Sequence, residues 1–385
     1  MLAPLRDYLS PEDPKSCPLL CTAKERYFIR MSTKISRDEP DFGETRWITT
    51  EDVNVEHLLD VFTTIDANSD DIWNACLNFM MHLYWHKARL TVLWPKIEGL
   101  PDGHHFKPRC LFELSRLIRS IGNDEESKRL LVHALKLVGG WGDDDVNAQI
   151  LLDLSDVNRV LGLPKEGIQQ AKEALEIFER LGDTGKQADC LIRLAQSLWK
   201  DKQLDAAEDA AFRAIGILPE KGEQFRVCES HHALGEIYES KGEIEKAIHH
   251  LEVALRIASP FNWHDKLYSI HFSLATKFLR EDRFDDAQAH LERAKPHVGN
   301  HAYGLGAAMM LQAMVWYKQH RLEEARSEAL RAIEIYEKLG AANDIEMGRA
   351  LLQLIQGRMD SLAVSGQLRE FLQMIPPPAR INFPL

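Results

Sequence analysis

Sixteen histidines are the residues of this sequence whose number first raises metal chemistry. His82 and His86 stand four residues apart on a predicted helix and could face one ion, whereas the adjacent histidines at 231–232 and 249–250 point in different directions. A zinc site needs three or four ligands, and the sequence near His82 offers no third one. Surface or hydrogen-bonded histidines explain the pattern better, so we predict no metal and no cofactor.

Motifs for nucleotide binding and covalent catalysis are absent from the sequence. The nearest match to a P-loop, at residues 182–187, is too short, lacks the Ser or Thr, and follows a predicted helix instead of a strand. Neither G-x-S-x-G nor H-E-x-x-H occurs. The acidic run at 143–145 is typical of a helix N-cap, since calcium would need further oxygen ligands at alternating positions. We therefore predict that the protein is not an enzyme.

Composition narrows the class of partner and the compartment. The formal net charge of −12 gives no electrostatic reason to expect binding to bulk nucleic acid or to an anionic membrane. No run of 18 apolar residues is present, so no membrane span is predicted. The six cysteines are sparse, and the first residues lack the basic and apolar regions of a signal peptide. These features predict reduced, mostly buried thiols in a cytoplasmic protein.

An internal repeat of 40 residues dominates the sequence. Each copy has a leucine followed by a small residue, a second small residue twelve positions later, and an alanine seven positions after that. Four copies align without gaps, at 154–174, 194–214, 234–254 and 274–294. The frame extends backward to Leu114 and forward to Ala332, with one spacing of 38, which gives six units from about residue 107 to 340.

The repeat predicts pairs of antiparallel helices. Only Gly, Ala or Ser lets two helix backbones approach closely where they cross, and Ala207 and Ala247 occupy such positions. Large apolar residues with a spacing of three or four, such as Leu191, Leu194 and Leu198, form one face of a helix. A single pair cannot bury that face alone, so the units must stack on one another.

These small residues and their spacing resemble the tetratricopeptide repeat (TPR) family, whose usual period is 34 residues. The resemblance implies an all-α fold, a right-handed TPR-type superhelical solenoid of antiparallel helix pairs, here with 40-residue repeats. It also implies a non-enzymatic scaffold for protein–protein interaction that binds a peptide or protein in its concave groove. The positions of the chaperone-tail clamp of this family hold Leu152, Asp156, Ile192 and Gln196 instead of Lys and Asn, so no chaperone tail is expected.

The N-terminal wording carries a second resemblance. Residues 17–28 and 47–59, followed by this repeat array, resemble the region downstream of the nucleotide-binding core in fungal NLR-like proteins of the NACHT or NB-ARC type. This resemblance implies an alternative function, the sensor or regulatory half of a signalling ATPase, with a nucleotide-binding domain as partner. We predict an N-terminal helical segment and linker at 1–45, a helical cap on the first repeat at 46–106, six repeats at 107–340, and C-terminal capping helices with a Pro-rich tail at 341–385.

The TPR resemblance also implies where a partner binds, because the first helix of each pair lines the concave face. Projected onto this sequence, the frame makes the face basic in the early repeats and acidic in the middle ones. The predicted partner-binding residues are Arg116, Arg119, Arg159, Arg193, Gln196, Trp199, His232, Glu236, Glu239 and Tyr317. We hypothesise that a segment with an acidic end pairs with the arginines, with Trp199 as an apolar anchor beside them. A solvated groove without a ligand is the competing interpretation.

Overall fold

The computed structural model describes residues 93–120, 122–139, 143–219, 222–298 and 302–374, together with Trp73 and Leu77. The predictions for residues 1–92, including the NLR-like wording, His82 and His86, lie outside the described residues apart from those two positions. The prediction for the Pro-rich tail also lies outside them.

The described residues form an all-α structure without strands, as the repeat predicts. A short helix α1 (Leu93–Gly99) precedes six pairs of helices, and a long helix α14 (Ala342–Met374) follows them. The pairs are α2 (Lys107–Ser120) with α3 (Asp124–Val138), α4 (Asp144–Val160) with α5 (Pro164–Leu181), α6 (Thr184–Lys200) with α7 (Leu204–Ile217), α8 (Gln224–Ser240) with α9 (Ile244–Ala258), α10 (His264–Arg280) with α11 (Phe284–Ala294), and α12 (Ala302–Lys318) with α13 (Leu322–Leu339). None of these helices combines the length and apolar composition that a membrane span requires.

Each pair turns through one residue with a positive φ angle, and these residues repeat with the period of the sequence. The turn residues are Gly122, Gly162, Lys202, Gly242, Asp282 and His320, with φ angles between 55° and 87°. Five of the six spacings and positions follow the 40-residue frame, and the shift to 38 falls in the last pair. The left-handed conformation lets the chain reverse within a few residues, so the second helix of each pair folds back on the first.

The predicted small residues lie at close helix crossings. Ala207 and Ala247 are completely buried. A Cβ atom at Gly235 would lie 2.6 Å from Leu251 Cγ, and one at Gly167 would lie 2.8 Å from the carbonyl oxygen of Ser155. No larger side chain fits without moving a neighbouring helix, which explains the repeated choice of Gly and Ala at these positions.

The chain divides into two compact units at Leu218. Unit 1 contains the first three pairs, and its core begins with Trp73 and Ile97 packed among the apolar residues of α2 to α4. Unit 2 contains the last three pairs and α14. Its core has one cluster around Leu274 and a second around Tyr336, which includes Ile355 of α14.

Local sequence sets where several helices begin and how the last one continues. Asp143 caps α4 by accepting a hydrogen bond from the backbone N–H of Val146 at 3.2 Å, which is the capping role predicted for the acidic run. Helix α14 differs from the sequence analysis, which expected two helices after residue 340. The stretch contains neither a proline nor a positive-φ residue in the described backbone, so a single helix runs through Gly357.

Candidate partner-binding faces

Arginines from three successive first helices surround one carboxylate in unit 1. Asp156 on α4 is 7% exposed, pairs with Arg159 at 2.5 Å and also pairs with Arg119 of α2. Burial disfavours the charged form, but Arg193 of α6 together with Arg159 and Arg119 outweighs burial and holds the pKa of this carboxyl well below its usual range. The structure thus brings together three of the predicted arginines, and we call them with Asp156 the arginine cluster.

Arg116, the fourth predicted arginine, lies beside two further carboxylates. Its guanidinium is 3.6 Å from Asp153 and 3.5 Å from Glu113. Burial raises the pKa of both carboxyls in spite of this arginine. The sequence analysis expected arginines open to a partner's carboxylate, whereas in the structure the protein's own carboxylates already contact them.

Gln196 and Trp199 lie on α6, as the frame placed them. Gln196 accepts a hydrogen bond from Arg193 at 3.0 Å, so it extends the arginine cluster. Trp199 is half-buried near the end of the helix, where the ammonium group of Lys200 lies 4.5 Å from its ring centre. Its exposed part makes it available as an apolar contact beside the cluster.

In unit 2 the first helices line a cavity of about 580 Å³. Its lining combines an ion-paired wall from α8 and α10 with an apolar wall from α12 and α14. The lining residues are Glu236, Glu239, Phe272, Ser273, Thr276, Lys277, Leu279, Arg280, Tyr303, Ala307, Met310, Leu311, Met314, Tyr336, Asp344 and Met347. The cavity has the size of ordinary ligand pockets, about 300–1,000 Å³, and we call it the unit-2 cavity.

The two glutamates predicted for the middle of the face are neutralised within this wall. Lys277 is 1% exposed and lies 2.9 Å from Glu236 and 2.5 Å from Glu239. Burial opposes the charge of Glu236, but Lys277 outweighs it and holds the pKa of this carboxyl below its usual range. Arg280 also pairs with Glu239, at 2.8 Å. The face is therefore a closed set of ion pairs at this point, and not an acidic surface.

His232 and Tyr317 lie beside the cavity and do not line it. The Nε2 atom of His232 is 3.3 Å from the hydroxyl of Ser273, and burial lowers the pKa of this imidazole to about 4. The ring of Tyr317 is covered by the guanidinium of Arg358 of α14 at 5.2 Å. Of the four residues predicted in unit 2, the structure thus brings only Glu236 and Glu239 together in the cavity wall.

Several residues of these faces were not predicted, and a regular separation along the chain could have identified some of them. Side chains of successive first helices meet at separations of 37 or 41 residues, which is the 40-residue repeat shifted by about one helical turn. The pairs Arg119–Asp156 and Glu229–Lys266 have the first separation, and Glu236–Lys277, Asp145–Lys186 and Tyr303–Asp344 have the second. A scan for complementary residues at these two separations would have assigned Lys277 to Glu236.

The histidines of unit 2 form pairs between helices. Nδ1 of His231 lies 3.0 Å from Nδ1 of His250, and the corresponding atoms of His271 and His290 lie 2.9 Å apart. The two pairs occupy equivalent places in successive repeats, since both of their members differ by 40 residues. Because neutral imidazole can donate from one nitrogen and accept at the other, each pair makes a hydrogen bond when at least one of its two rings is neutral.

The cysteines and the P-loop-like segment have structural surroundings. Cys190 and Cys228 are buried, and burial raises the pKa of the Cys228 thiol to about 11 and that of Cys190 further, which makes both poor nucleophiles. In the P-loop-like segment, the carboxylate of Asp183 accepts a hydrogen bond from the backbone N–H of Lys186 at 2.9 Å. An aspartate thus occupies the helix N-terminus that a phosphate would need.

Comparisons with known proteins agree with this fold. The tetratricopeptide repeat family matches residues 229–260, which lie in α8 and α9 and just beyond. Protein kinesin light chain-related 1 of Arabidopsis thaliana is 25% identical over 257 residues, a match that covers 63% of this chain. The chain spans 42% of the length of that relative.

Two solved structures share the arrangement of helices over most of this chain. A Rap protein complexed with Competence and Sporulation Factor is 13% identical, with 88% of this chain and 98% of that chain covered and a TM-score of 0.57. A STAND protein (signal transduction ATPase with numerous domains) from Pyrococcus horikoshii, which has a tetratricopeptide repeat sensor, is 16% identical. That alignment covers 90% of this chain and 52% of the other, with a TM-score of 0.55. The chain therefore has a TPR-type repeat fold, which suits a role in protein interaction.

Proposed function

We propose that this protein is a non-enzymatic scaffold that holds a peptide or protein partner against the first helices of its repeats. The observation that carries the proposal is the unit-2 cavity, in which Tyr303, Met314 and Met347 are each at least 40% exposed on a concave surface. Soluble proteins expose such clusters of large apolar side chains mainly where they bind another molecule. Compartment and partner follow from the same proposal, with a cytoplasmic protein or peptide as the ligand.

Unit 1 offers a second contact of different chemistry. The arginine cluster and Arg116 bring four guanidinium groups to three carboxylates, and the pKa of two of those carboxyls is raised by burial. The face therefore carries an excess of positive charge, which favours a partner with an acidic end. Trp199 would contact an apolar residue of the same segment.

A quantitative pull-down from native lysate tests this function. The wild-type chain is compared with Met314→Glu in the cavity and with Leu330→Glu, which places the same change on a 49% exposed leucine of a second helix. We expect partners that the wild type and Leu330→Glu retain and that Met314→Glu loses at least in part. Circular dichroism confirms that both variants fold. If Met314→Glu retains every partner at the wild-type level, the cavity is not the binding site.

The unit-1 contact is tested separately with Arg116→Glu and Trp199→Ala. Arg116 is the arginine of choice because its ion pairs are long, so reversing its charge perturbs the buried Asp156 less than a change at Arg159 would. We expect weaker retention and a steeper loss with added salt for partners that contact this face. Partners that survive both changes contact another surface.

The alternative is that the chain is the sensor or regulatory half of an NLR-like signalling ATPase and acts on a nucleotide-binding domain. The N-terminal resemblance and the fold shared with the repeat sensor of the STAND protein favour it. Under this alternative the chain co-elutes with a protein that contains a P-loop. Affinity for a linear peptide alone, without such a protein, favours the scaffold.

A further inference from the structure

One wall of the unit-2 cavity is apolar and open to solvent. Met314 of α12 is 40% exposed and Met347 of α14 is 50% exposed, while Met310 and Leu311 close the floor beneath them. Methionine is unbranched and flexible, so a methionine-rich surface adapts to apolar side chains of different shapes. This wall therefore suits an apolar side chain of a partner without selecting a single residue type.

The charges of the cavity are unevenly balanced. The opposite wall is closed by the ion pairs of Lys277 and Arg280 with two glutamates. Asp344 of α14 is the third carboxylate, and both of its oxygens lie 3.2 Å from the hydroxyl of Tyr303. Within the part of the chain that the structure describes, no cation lies within ion-pair distance of Asp344. The cavity thus has a negative charge left over at the edge of its apolar wall.

The position of that charge relative to the methionines limits what can bind both. Asp344 and Met347 are three residues apart on α14, and side chains at this spacing are neighbours on one helix face, about 5–6 Å apart at Cβ. Consecutive residues of an extended peptide are about 3.8 Å apart at Cα. A residue whose side chain rests on Met347 therefore brings the side chain of its neighbour within reach of Asp344.

We infer that the unit-2 cavity binds a partner segment in which an apolar residue is directly followed or preceded by a lysine or arginine. The apolar side chain contacts Met314 and Met347, and the cation pairs with Asp344. This inference rests on the proposed function and specifies the ligand of that site. It also distinguishes the two faces, because the arginine cluster of unit 1 favours acidic groups.

Methyl-detected NMR on the full chain tests this ligand chemistry. The ten methionines are labelled with ¹³C at the methyl group, and the probes are three capped tetrapeptides, acetyl-Gly-Leu-Lys-Gly-amide and its versions with Glu for Lys or Ser for Leu. We expect the Leu-Lys peptide to shift the methyl signals of Met314 and Met347. Its apparent Kd should be about two- to fivefold lower than that of the Leu-Glu peptide, as a partly exposed ion pair allows. The Ser-Lys peptide should bind more weakly still.

Two variants assign the discrimination to one carboxylate. Asp344→Asn keeps an acceptor for Tyr303 and should abolish the difference between the Lys and Glu peptides. Glu346→Gln changes an exposed carboxylate on the same helix and should leave the difference intact. Equal or tighter binding of the Leu-Glu peptide, or shifts confined to other methionines, would overturn the inference. The proposed function fails on a separate result, namely full retention of lysate partners by Met314→Glu.

Discussion

At the scale of single residues, the histidine pairs of unit 2 should make stability depend on pH. Burial and neighbouring charge lower the pKa of His231, His271 and His290 to about 4. The groups that face these three imidazoles are His249, His250, Arg256, Asp286, Arg293 and His297. The ordinary pKa of a histidine in an unfolded chain is about 6.5, so between about pH 6.5 and 4 the unfolded chain binds more protons than the folded one. Stability is therefore complete above this window and is lost as the pH falls through it.

We predict that the free energy of unfolding falls by roughly 1–2 kcal/mol for His271 between pH 7 and 5, and by less for the more exposed His231 and His290. Urea denaturation at both pH values measures the loss. The double variant His271→Gln/His290→Gln should show a smaller loss, whereas His249→Gln, which changes an exposed histidine, should behave like the wild type. Equal pH dependence in all three proteins would contradict the prediction.

Asp156 should contribute more to the stability of unit 1 than an exposed carboxylate does. Asp156→Asn removes the only charge that the three arginines of the cluster share, and it leaves them partly buried and mutually repelling. Breaking a buried ion pair costs about 3–5 kcal/mol, and partial exposure of these arginines reduces the expected loss to about 2 kcal/mol.

The matched control is Asp145→Asn. This carboxylate pairs with Lys186 at 2.5 Å and is 46% exposed at its side chain, so the change should cost less than about 1 kcal/mol. Thermal unfolding followed by circular dichroism compares the two variants. A loss for Asp156→Asn no larger than that for Asp145→Asn would show that the cluster contributes little to stability.

At the scale of the helix pairs, the turn residues should differ in strain although their geometry is the same. Lys202 has φ 65° where Gly162 and Gly242 have 76° and 80°. A non-glycine residue in the left-handed region costs about 1–2 kcal/mol, part of which glycine gives back through the entropy of the unfolded chain. Lys202→Gly should therefore stabilise the protein by about 0.5–1 kcal/mol, as measured by the denaturation midpoint.

The reverse substitution provides the check on this prediction. No atom lies within 4 Å of a Cβ built on Gly242, so Gly242→Ala tests backbone conformation alone and should destabilise by about 1 kcal/mol. Gly357→Ala also meets open space but lies inside α14, where alanine favours the helix by about 1 kcal/mol. If both alanine variants shift stability in the same direction, the strain argument is wrong.

The helix pairs were predictable from sequence, whereas the contacts that build the binding faces were not predicted. The repeat identified Ala207 and Ala247 as crossing positions because close packing admits only small residues there, and both are buried. The frame also placed Glu236 on the correct face. It could not assign Lys277 as its partner without the offset between successive first helices, and for this reason the sequence analysis predicted a charged surface where the structure has closed ion pairs.

At the scale of the whole molecule, the organisation of each unit separates the two proposed functions only by partner. Both units use first helices to present side chains, with an excess of positive charge in unit 1 and an apolar, acidic-edged cavity in unit 2. The division between these chemistries coincides with the division of the chain at Leu218. A scaffold could use the two units for different partners or for different parts of one partner, and the paired variants Arg116→Glu and Met314→Glu distinguish these cases by whether they release the same proteins.

We predict that the chain alone binds neither ATP nor GTP. No segment of the sequence provides the glycine-rich loop and the Lys-Ser/Thr pair that hold phosphates and magnesium. At the nearest match, Asp183 caps the helix and would repel a phosphate. Isothermal titration calorimetry with Mg-ATP and Mg-GTP should give no binding heat, with a P-loop protein as the positive control. Micromolar affinity would contradict the prediction. Under the scaffold function, nucleotide should also leave partner retention unchanged in the pull-down, whereas a partner released by ATP or GTP would favour the alternative in which the nucleotide site belongs to a separate domain.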